Sequence, residues 1–245
     1  PPLDRSALLV AAARRGSADP LGGDDSEEQR RLDGKRFEVR IRFGCAARTK
    51  PPAEATESAQ APPFNVRFDE EERTLRVRAA PDLTLTDPPI AALAGEKVEA
   101  VEGFWMYRPW LLAAGCPVVQ APPKPAADGA DAPKSQEPAA SPASPPSPRL
   151  RVGIAQFYSA TDPRTGRRDG RAYEATEVLK ADEQLSSQGY DLVLLGRLRR
   201  FANGRVILCR STNIDSPPEC VISADFDRVR IEAPGSGTVH AEWTS

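Results

Sequence analysis

The feature that most constrains the fold is a strict alternation of apolar and charged residues in several short segments. From Phe37 to Phe43 every second residue is apolar, and the residues between them are glutamate or arginine. Side chains of a strand point alternately to its two faces, so this pattern predicts a strand with one buried and one solvated face. One-sided burial is typical of antiparallel sheets, because strands of parallel sheets are buried on both faces.

The same alternation recurs along the chain. It is found at 64–68 and 75–79, on either side of a charged turn that predicts a hairpin, and at 98–107, 151–157, 220–231 and 239–243. Within the third of these segments, Gly103 predicts a bulge. The dipeptide Asn203-Gly204 separates apolar segments at 190–200 and 205–210, and it predicts a type I′ hairpin because both residues tolerate positive φ.

These segments together predict a mainly β protein, built as an antiparallel β-sandwich or jelly-roll-like body. One short helix is expected over 4–15, with Asp4 as its N-cap and Leu8, Leu9 and Ala12 on its apolar side. Residues 172–188 fit either a helix or a strand followed by a loop, so an α+β fold remains the alternative.

Changes in composition divide the chain into four parts. Residues 1–33 hold the predicted helix and an acidic run, and we expect an N-terminal tail or docking segment. Residues 34–119 and 149–245 are two strand-rich blocks, and the sequence leaves open whether they pack as a single domain. Between them, 120–148 is rich in Ala, Pro and Ser, which predicts a linker or surface excursion because it buries too little apolar surface to offset its ordering entropy.

Four cysteines occur, without a Cys-x-x-Cys spacing and without a histidine nearby, which argues against zinc and against a redox pair. We predict two structural disulfides, Cys45–Cys116 and Cys209–Cys220, because each pair then closes within its own block. Disulfides indicate an oxidising compartment, so we expect an extracytoplasmic protein of the periplasm, cell surface or secreted space. The chain begins with Pro1-Pro2 rather than Met, which predicts a processed or truncated product, and a removed signal peptide would fit the disulfides. Four free thiols in a cytosolic protein are the alternative.

Motifs of catalysis are scarce. His240 is the sole histidine, so a multi-histidine metal site is excluded and acid–base chemistry has one imidazole to draw on. The sequence contains no nucleophile elbow, phosphate-binding loop or dinucleotide fingerprint. A net charge of -2 gives no indication of nucleic-acid binding, and no apolar run approaches the ~20 residues of a transmembrane helix. We expect no cofactor.

Two sets of residues are candidate sites. Trp105, Tyr107 and Trp110 would bind a sugar ring or a partner peptide if they lie exposed together. Asp225 and Asp227 lie two positions apart on a predicted strand and share a face, where they would hold calcium or serve glycoside hydrolysis. A basic loop that contains Arg164, Arg167, Arg168 and Arg171 is interpreted as an exposed turn.

The sequence therefore predicts a non-enzymatic secreted or cell-envelope β protein that acts through protein–protein interaction. We expect an accessory or structural subunit of a larger assembly, with a protein partner or further copies of itself. A carbohydrate-binding module that uses the aromatic residues is the first alternative. A carboxylate-dependent hydrolase is the second.

Overall fold

The computed structural model describes residues 1–18, 26–45, 62–91, 98–118, 150–163, 167–183 and 185–244. Within these ranges the chain is mainly β, as predicted, with two sheets and a few short helices. The predicted linker at 120–148 lies outside the described residues.

The helices are α1 (Arg5–Ala18), α2 (Ser26–Leu32) and α3 (Pro88–Ala91). The strands are β1 (Arg36–Phe43), β2 (Phe64–Asp69), β3 (Thr74–Ala79), β4 (Val98–Trp105), β5 (Arg151–Ser159), β6 (Tyr173–Val178), β7 (Tyr190–Leu198), β8 (Ile207–Arg210), β9 (Glu219–Glu232) and β10 (Val239–Thr244).

Strand β9 is the centre of the larger sheet, which has the order β1-β7-β9-β5-β4 with β8 and β10 also paired to β9. The first half of β9 lies between β5, which runs parallel to it, and β8, which runs antiparallel. Its second half lies between β7 and β10, both antiparallel. Because β1 and β4 share this sheet with strands that follow residue 149, the two strand-rich blocks are interleaved.

The prediction that Asn203-Gly204 joins two strands that pair with each other is wrong. A turn does form there, with Gly204 at a φ of 81° and its N–H donating to the carbonyl of Phe201 at 2.9 Å. The flanking strands β7 and β8 do not pair with each other, however, because both pair with β9 along the same edge. The turn therefore connects two strands that pair with successive parts of β9.

The smaller sheet has the order β2-β3-β6 and is antiparallel throughout. The predicted hairpin is present, with Phe64 opposite Ala79 and Asp69 opposite Thr74. The ambiguous stretch 172–188 begins with β6, which settles it as a strand followed by a loop.

The two sheets share one apolar core. Phe104 of the larger sheet lies with its ring centroid 6.1 Å from that of Phe64 and 6.0 Å from that of Tyr173, both in the smaller sheet. Within its own sheet Phe104 lies 6.4 Å from Phe226. The core therefore joins the two layers through aromatic contacts, in a sandwich-like arrangement.

Helix α1 covers part of the same core. Its N-cap is Asp4 as predicted, because the Ala7 N–H donates to Asp4 Oδ1 at 2.8 Å. Leu8, Leu9 and Ala12 are buried. The N-terminal segment expected as a tail or docking element thus includes a helix that packs against the chain's own sheet.

The opposite face of the larger sheet is also covered, at β4, β5 and β9. Residues 80–91, which include α3, place Leu83 and Ile90 against Ala155 and Val221 in a second apolar cluster. Gly103 belongs to this region, but the bulge of β4 lies between Val98 and Ala100 instead. A Cβ at Gly103 would lie only 2.5 Å from that of Ala155, so glycine is required there for close packing.

Both predicted disulfides are present. The Cys45–Cys116 disulfide links the second residue after β1 to the segment that follows β4. The two cysteines are 71 residues apart in the sequence. Cys209–Cys220 joins directly opposed residues of β8 and β9. Both cysteines of the second disulfide are buried, with their sulfurs close to the carbonyl of Ala12 in α1. In the described part of the chain, no helix is long and apolar enough to cross a membrane.

We predict that Gly196→Ala destabilises the fold. Gly196 lies in β7 beside the bulge of β9, and a Cβ there would stand 1.9 Å from the carbonyl oxygen of Asp225. Backbone atoms cannot move away as a flexible side chain can, so urea denaturation should show a free energy of unfolding lower by about 3 kcal/mol. The control is Gly115→Ala, where no atom other than those of the adjoining residues lies within 4 Å of the new methyl group. Equal stability of the two variants would contradict the close approach.

Candidate functional site

The segment 106–118, named the strap here, leaves β4 without regular secondary structure and is held across the end of β1. It begins with a turn in which the Leu111 N–H donates to the carbonyl of Arg108 at 2.9 Å. Arg108 has a φ of 52°, a left-handed conformation that a non-glycine residue seldom adopts. Such a conformation persists only where surrounding contacts impose it.

Arg5 supplies many of those contacts. From the start of α1 its guanidinium donates to the carbonyls of Tyr107 at 2.7 Å, Arg108 at 3.0 Å and Leu111 at 3.0 Å. A fourth hydrogen bond reaches the carbonyl of Arg40 in β1 at 3.3 Å. Arg5 is buried, and it therefore joins α1, β1 and the first half of the strap through one side chain.

Two further contacts fix the strap. Arg108 Nη2 donates to the carbonyl of Arg42 at 2.6 Å and lies 3.6 Å from Cys45 Sγ. Near the other end of the strap, Cys116 is bonded covalently to Cys45. The strap is thus attached at both ends to β1 and the residues that follow it, and its conformation is pre-organised.

The strap presents apolar side chains to solvent. Trp110 is 56% exposed, Leu112 is 54% exposed and Val118 is 90% exposed. Trp110 and Leu112 lie between the Arg5 contacts and the disulfide, and a segment restrained in this way loses less conformational entropy when a partner covers it, so the arrangement is suited to binding.

Positive charge accumulates beneath the strap. Arg5, Arg42 and Arg108 line a shallow depression of the surface, together with Tyr107, Leu111 and residues 113–115. Arg42 forms a two-point ion pair with Asp191, at 2.6 and 3.0 Å. Burial, followed by the positive charge of Arg108, lowers the pKa of Arg5 to about 10. Burial and the neighbouring Arg42 likewise lower the pKa of Arg108.

A second polar cluster lies between the two sheets. Glu102 of β4 is buried and accepts a hydrogen bond from the hydroxyl of Tyr173 in β6. Arg168 lies over the Tyr173 ring at 4.1 Å, and Trp243 packs edge-on against that ring at 4.9 Å. Burial raises the pKa of Glu102 and also that of Tyr173, whose hydroxyl then stays protonated and keeps donating.

The cluster continues along β5. Burial raises the pKa of Tyr158 to about 12, with the negative charge of Glu102 as the next cause. Gln156 Oε1 accepts the backbone N–H of Phe226 at 2.9 Å, beside the bulge of β9. Because the bond between Glu102 and Tyr173 joins β4 to β6, we interpret the cluster as a bridge between the sheets. The sequence contained one indication that Glu102 is buried, since it lies two positions from the apolar Phe104 and therefore on the same face of the strand.

The predicted aromatic residues are not brought together. Trp105 is buried in the second apolar cluster, where the Arg151 guanidinium stacks on its ring at 3.9 Å. Tyr107 packs against Phe64 with the ring centroids 4.7 Å apart. Trp110 alone of the three is well exposed.

The predicted carboxylate pair lies on β9. Asp225 forms an ion pair with Arg199 and lies opposite Arg197 of β7. Asp227 is exposed and is the bulged residue, since Phe226 pairs with Gly196 and Arg228 pairs with Leu195. Among the described residues, no three His, Cys, Asp or Glu side chains form a metal-binding group.

His240 has a contact of its own. Its Nδ1 lies 2.8 Å from Glu177 Oε2, and its ring packs edge-on against Tyr190 at 5.4 Å. Since His240 is on β10 and Glu177 is on β6, the sole histidine joins the two sheets. Of the basic loop, Arg164 lies outside the described residues, whereas Arg167 donates to the carbonyls of Ser159 and Asp162.

Comparison with known proteins adds no relationship. No protein-family model, no curated protein and no solved structure matches this chain. The geometry of the strap and of the two polar clusters therefore carries the functional argument.

We predict that loss of the Asp82 proton lowers the stability of the folded protein as pH rises. Its carboxylate accepts the Trp105 N–H at 2.8 Å, and burial raises its pKa from 3.8 to about 6. Between these values the folded state keeps a proton that the unfolded state has lost, so the free energy of unfolding falls as pH increases.

Asp82→Asn removes this proton linkage and keeps an oxygen for the Trp105 N–H. At about pH 7 the variant should exceed the wild type in free energy of unfolding by about 1–3 kcal/mol, and at about pH 3 the difference should vanish. Denaturant titrations across this range measure it, with the exposed Asp227→Asn as control. A difference that is independent of pH would show that the carboxyl group is not the cause.

The bond between Glu102 and Tyr173 is tested by a double-mutant cycle. Tyr173→Phe leaves a buried carboxyl group without its donor and should lower the free energy of unfolding by about 2 kcal/mol. In a Glu102→Leu background the same change should cost at least about 1 kcal/mol less. Tyr107→Phe, for which no hydroxyl hydrogen bond is described, is the control. Additive effects of the two substitutions would refute the coupling.

Proposed function

We propose that this protein acts by binding a partner protein, with the strap as its contact surface, in an extracytoplasmic compartment. The observation that carries the proposal is the exposure of Trp110 and Leu112 on a segment that Arg5, Arg108 and the Cys45–Cys116 disulfide hold in place. Trp and Arg are the residue types that most often dominate the binding energy of protein interfaces.

The partner's chemistry follows from the charges around the strap. Three guanidinium groups line the depression beneath it, and the ion pairs described for them involve a single carboxylate, that of Asp191. This excess of positive charge favours an acidic partner. We therefore expect a protein segment in which an acidic residue lies next to apolar ones.

The remaining buried polar groups support binding over catalysis. Glu102 bonds to Tyr173 between the sheets, Gln156 bonds to a backbone N–H of the larger sheet, and Asp191 is paired with Arg42. The two disulfides support the extracytoplasmic location, because such bonds persist in oxidising compartments. A carbohydrate-binding platform is less well supported, since Trp105 and Tyr107 pack into the two apolar clusters.

The proposal is tested by selecting peptides from a random phage-displayed library against the intact, oxidised protein. We expect peptides that combine Asp or Glu with an apolar residue. Their affinity should fall by about tenfold or more for Trp110→Ala/Leu112→Ala, as is typical when exposed anchor residues are truncated.

The matched control is Ile214→Ala, since Ile214 is 97% exposed but lies in the loop between β8 and β9. This variant should bind the selected peptides as well as the wild type does. If no peptide distinguishes the strap variant from the control, the strap is not the binding surface.

A further inference from the structure

The two disulfides differ in their exposure to solvent. Cys209 and Cys220 are buried, with 6% and 0% of their surface exposed, and their sulfurs lie close to a carbonyl of α1. Cys45 and Cys116 are both partly exposed. A disulfide is cleaved by direct attack of a thiolate on one of its sulfurs, so access decides which of the two bonds an external thiol reaches.

The two sulfurs of the exposed disulfide have different electrostatic surroundings. The guanidinium of Arg108 lies beside Cys45, with Nη2 3.6 Å from Cys45 Sγ. The carbonyl oxygen of Gln188 lies 3.1 Å from Cys116 Sγ. A positive charge stabilises a neighbouring thiolate, whereas a carbonyl oxygen disfavours a thiolate and accepts a hydrogen bond from a thiol. When the bond breaks, a negative charge is therefore more stable on Cys45 than on Cys116.

We propose that the Cys45–Cys116 disulfide is redox-active and that an external thiol cleaves it by attack on Cys116. The attacking thiolate forms a mixed disulfide with Cys116 Sγ, and the electron pair of the broken bond leaves on Cys45 Sγ, beside Arg108. A second external thiolate then attacks the sulfur of the first. This step forms the external disulfide and frees Cys116 as a thiolate, which takes a proton from water. Two electrons thus pass from two external thiols to the protein disulfide.

Cleavage releases one half of the strap. The first half stays attached, since Arg5 donates to the carbonyls of Tyr107 and Leu111 through hydrogen bonds that do not involve the disulfide. Leu112 lies between these contacts and Cys116, so it loses the covalent restraint on its far side. A less restrained segment loses more conformational entropy when a partner covers it. In this respect the inference rests on the proposed function, because reduction then weakens the binding of the partner protein to the strap.

The site of attack is tested on the intact oxidised protein with glutathione as the probe. Samples are quenched with N-ethylmaleimide after short exposures, and the modified cysteines are located by peptide mass spectrometry. We expect glutathione on Cys116 and maleimide on Cys45. Cleavage of Cys209–Cys220 should be at least about 100-fold slower, because a buried disulfide must first be exposed by local unfolding. Glutathione found on Cys45, or a Cys45–Cys116 bond that survives as long as Cys209–Cys220, would overturn the proposal.

The charge of Arg108 is tested by the rate at which dithiothreitol reduces the exposed disulfide. Arg108→Gln removes the positive charge beside the leaving sulfur and should slow cleavage about fivefold, whereas Arg108→Lys should stay within about twofold of the wild type. A purely structural role predicts the opposite, since loss of the bond from Arg108 to the Arg42 carbonyl loosens the strap and speeds cleavage. Equal or faster cleavage in Arg108→Gln would therefore refute the role of Arg108.

The matched control is Arg36→Gln, the same change at the first residue of β1. Arg36 is exposed and lies about 24 Å along the strand from Phe43, at the end away from Cys45. This variant should be reduced at the rate of the wild type, and an equal slowing in it would also refute the role of Arg108. If Arg108→Gln does not fold, the position of glutathione on the wild-type protein still decides the proposal.

The proposed function and this inference fail separately. Cys45→Ser/Cys116→Ser represents the cleaved strap, and it should bind the selected peptides about tenfold more weakly than the oxidised wild type, whereas equal affinity would refute the regulation of the strap. If the peptides depend on Trp110 but glutathione does not cleave Cys45–Cys116 selectively, the strap is the contact surface and the redox site is wrong. If cleavage is selective while no peptide recognises the strap, the redox site stands and the proposed function is wrong.

Discussion

The structure depends on the pairing of β9 with a strand at each of its edges along most of its length. Its first half lies between β5 and β8, and its second half lies between β7 and β10. This arrangement satisfies the backbone polar groups of a 14-residue strand and allows its apolar side chains to be buried. Cys220 at its beginning is bonded to Cys209 beneath α1, so the N-terminal helix, the central strand and a disulfide are packed together.

Buried acids are the second constraint, and each has a specific partner. Glu102 accepts from Tyr173, Asp191 is paired with Arg42 and Glu232 is paired with Arg40. Removal of one partner from such a pair leaves an uncompensated buried group, which costs more than the pair contributes. The first of these bonds links the two sheets, and the other two lie on the face of the larger sheet near the strap. They restrict how the layers and the strap are positioned.

Sequence reasoning succeeded where the signal is local. The alternation in β1, the hairpin of β2 and β3, the Asp4 cap and the Cys209–Cys220 pair could be derived from neighbouring residues. The long-range Cys45–Cys116 pair was predicted from the number of cysteines and their division between the two blocks. Sequence reasoning failed where distant segments decide, since Asn203-Gly204 specifies a turn but not that β7 and β8 both pair with β9. Trp105 is buried for a similar reason, because residues 80–91 cover a sheet face that the alternation alone assigns to solvent. Arg5, Arg42 and Arg108 are far apart in sequence, so no motif identified their convergence.

The arrangement beneath the strap is not the one that stability alone would favour. Well-packed apolar residues stabilise a buried position at least as well as paired charges do, and like charges held together lower stability further. Arg5 could be explained as a structural residue, because its hydrogen bonds join α1, β1 and the strap. Arg108 also joins the strap to β1, through the carbonyl of Arg42, but it adds a third positive charge beside Arg5 and Arg42. Trp110 and Leu112 are exposed on the segment that Arg5 and Arg108 hold against β1, and exposed apolar residues on a segment fixed in this way are suited to contact with a partner protein.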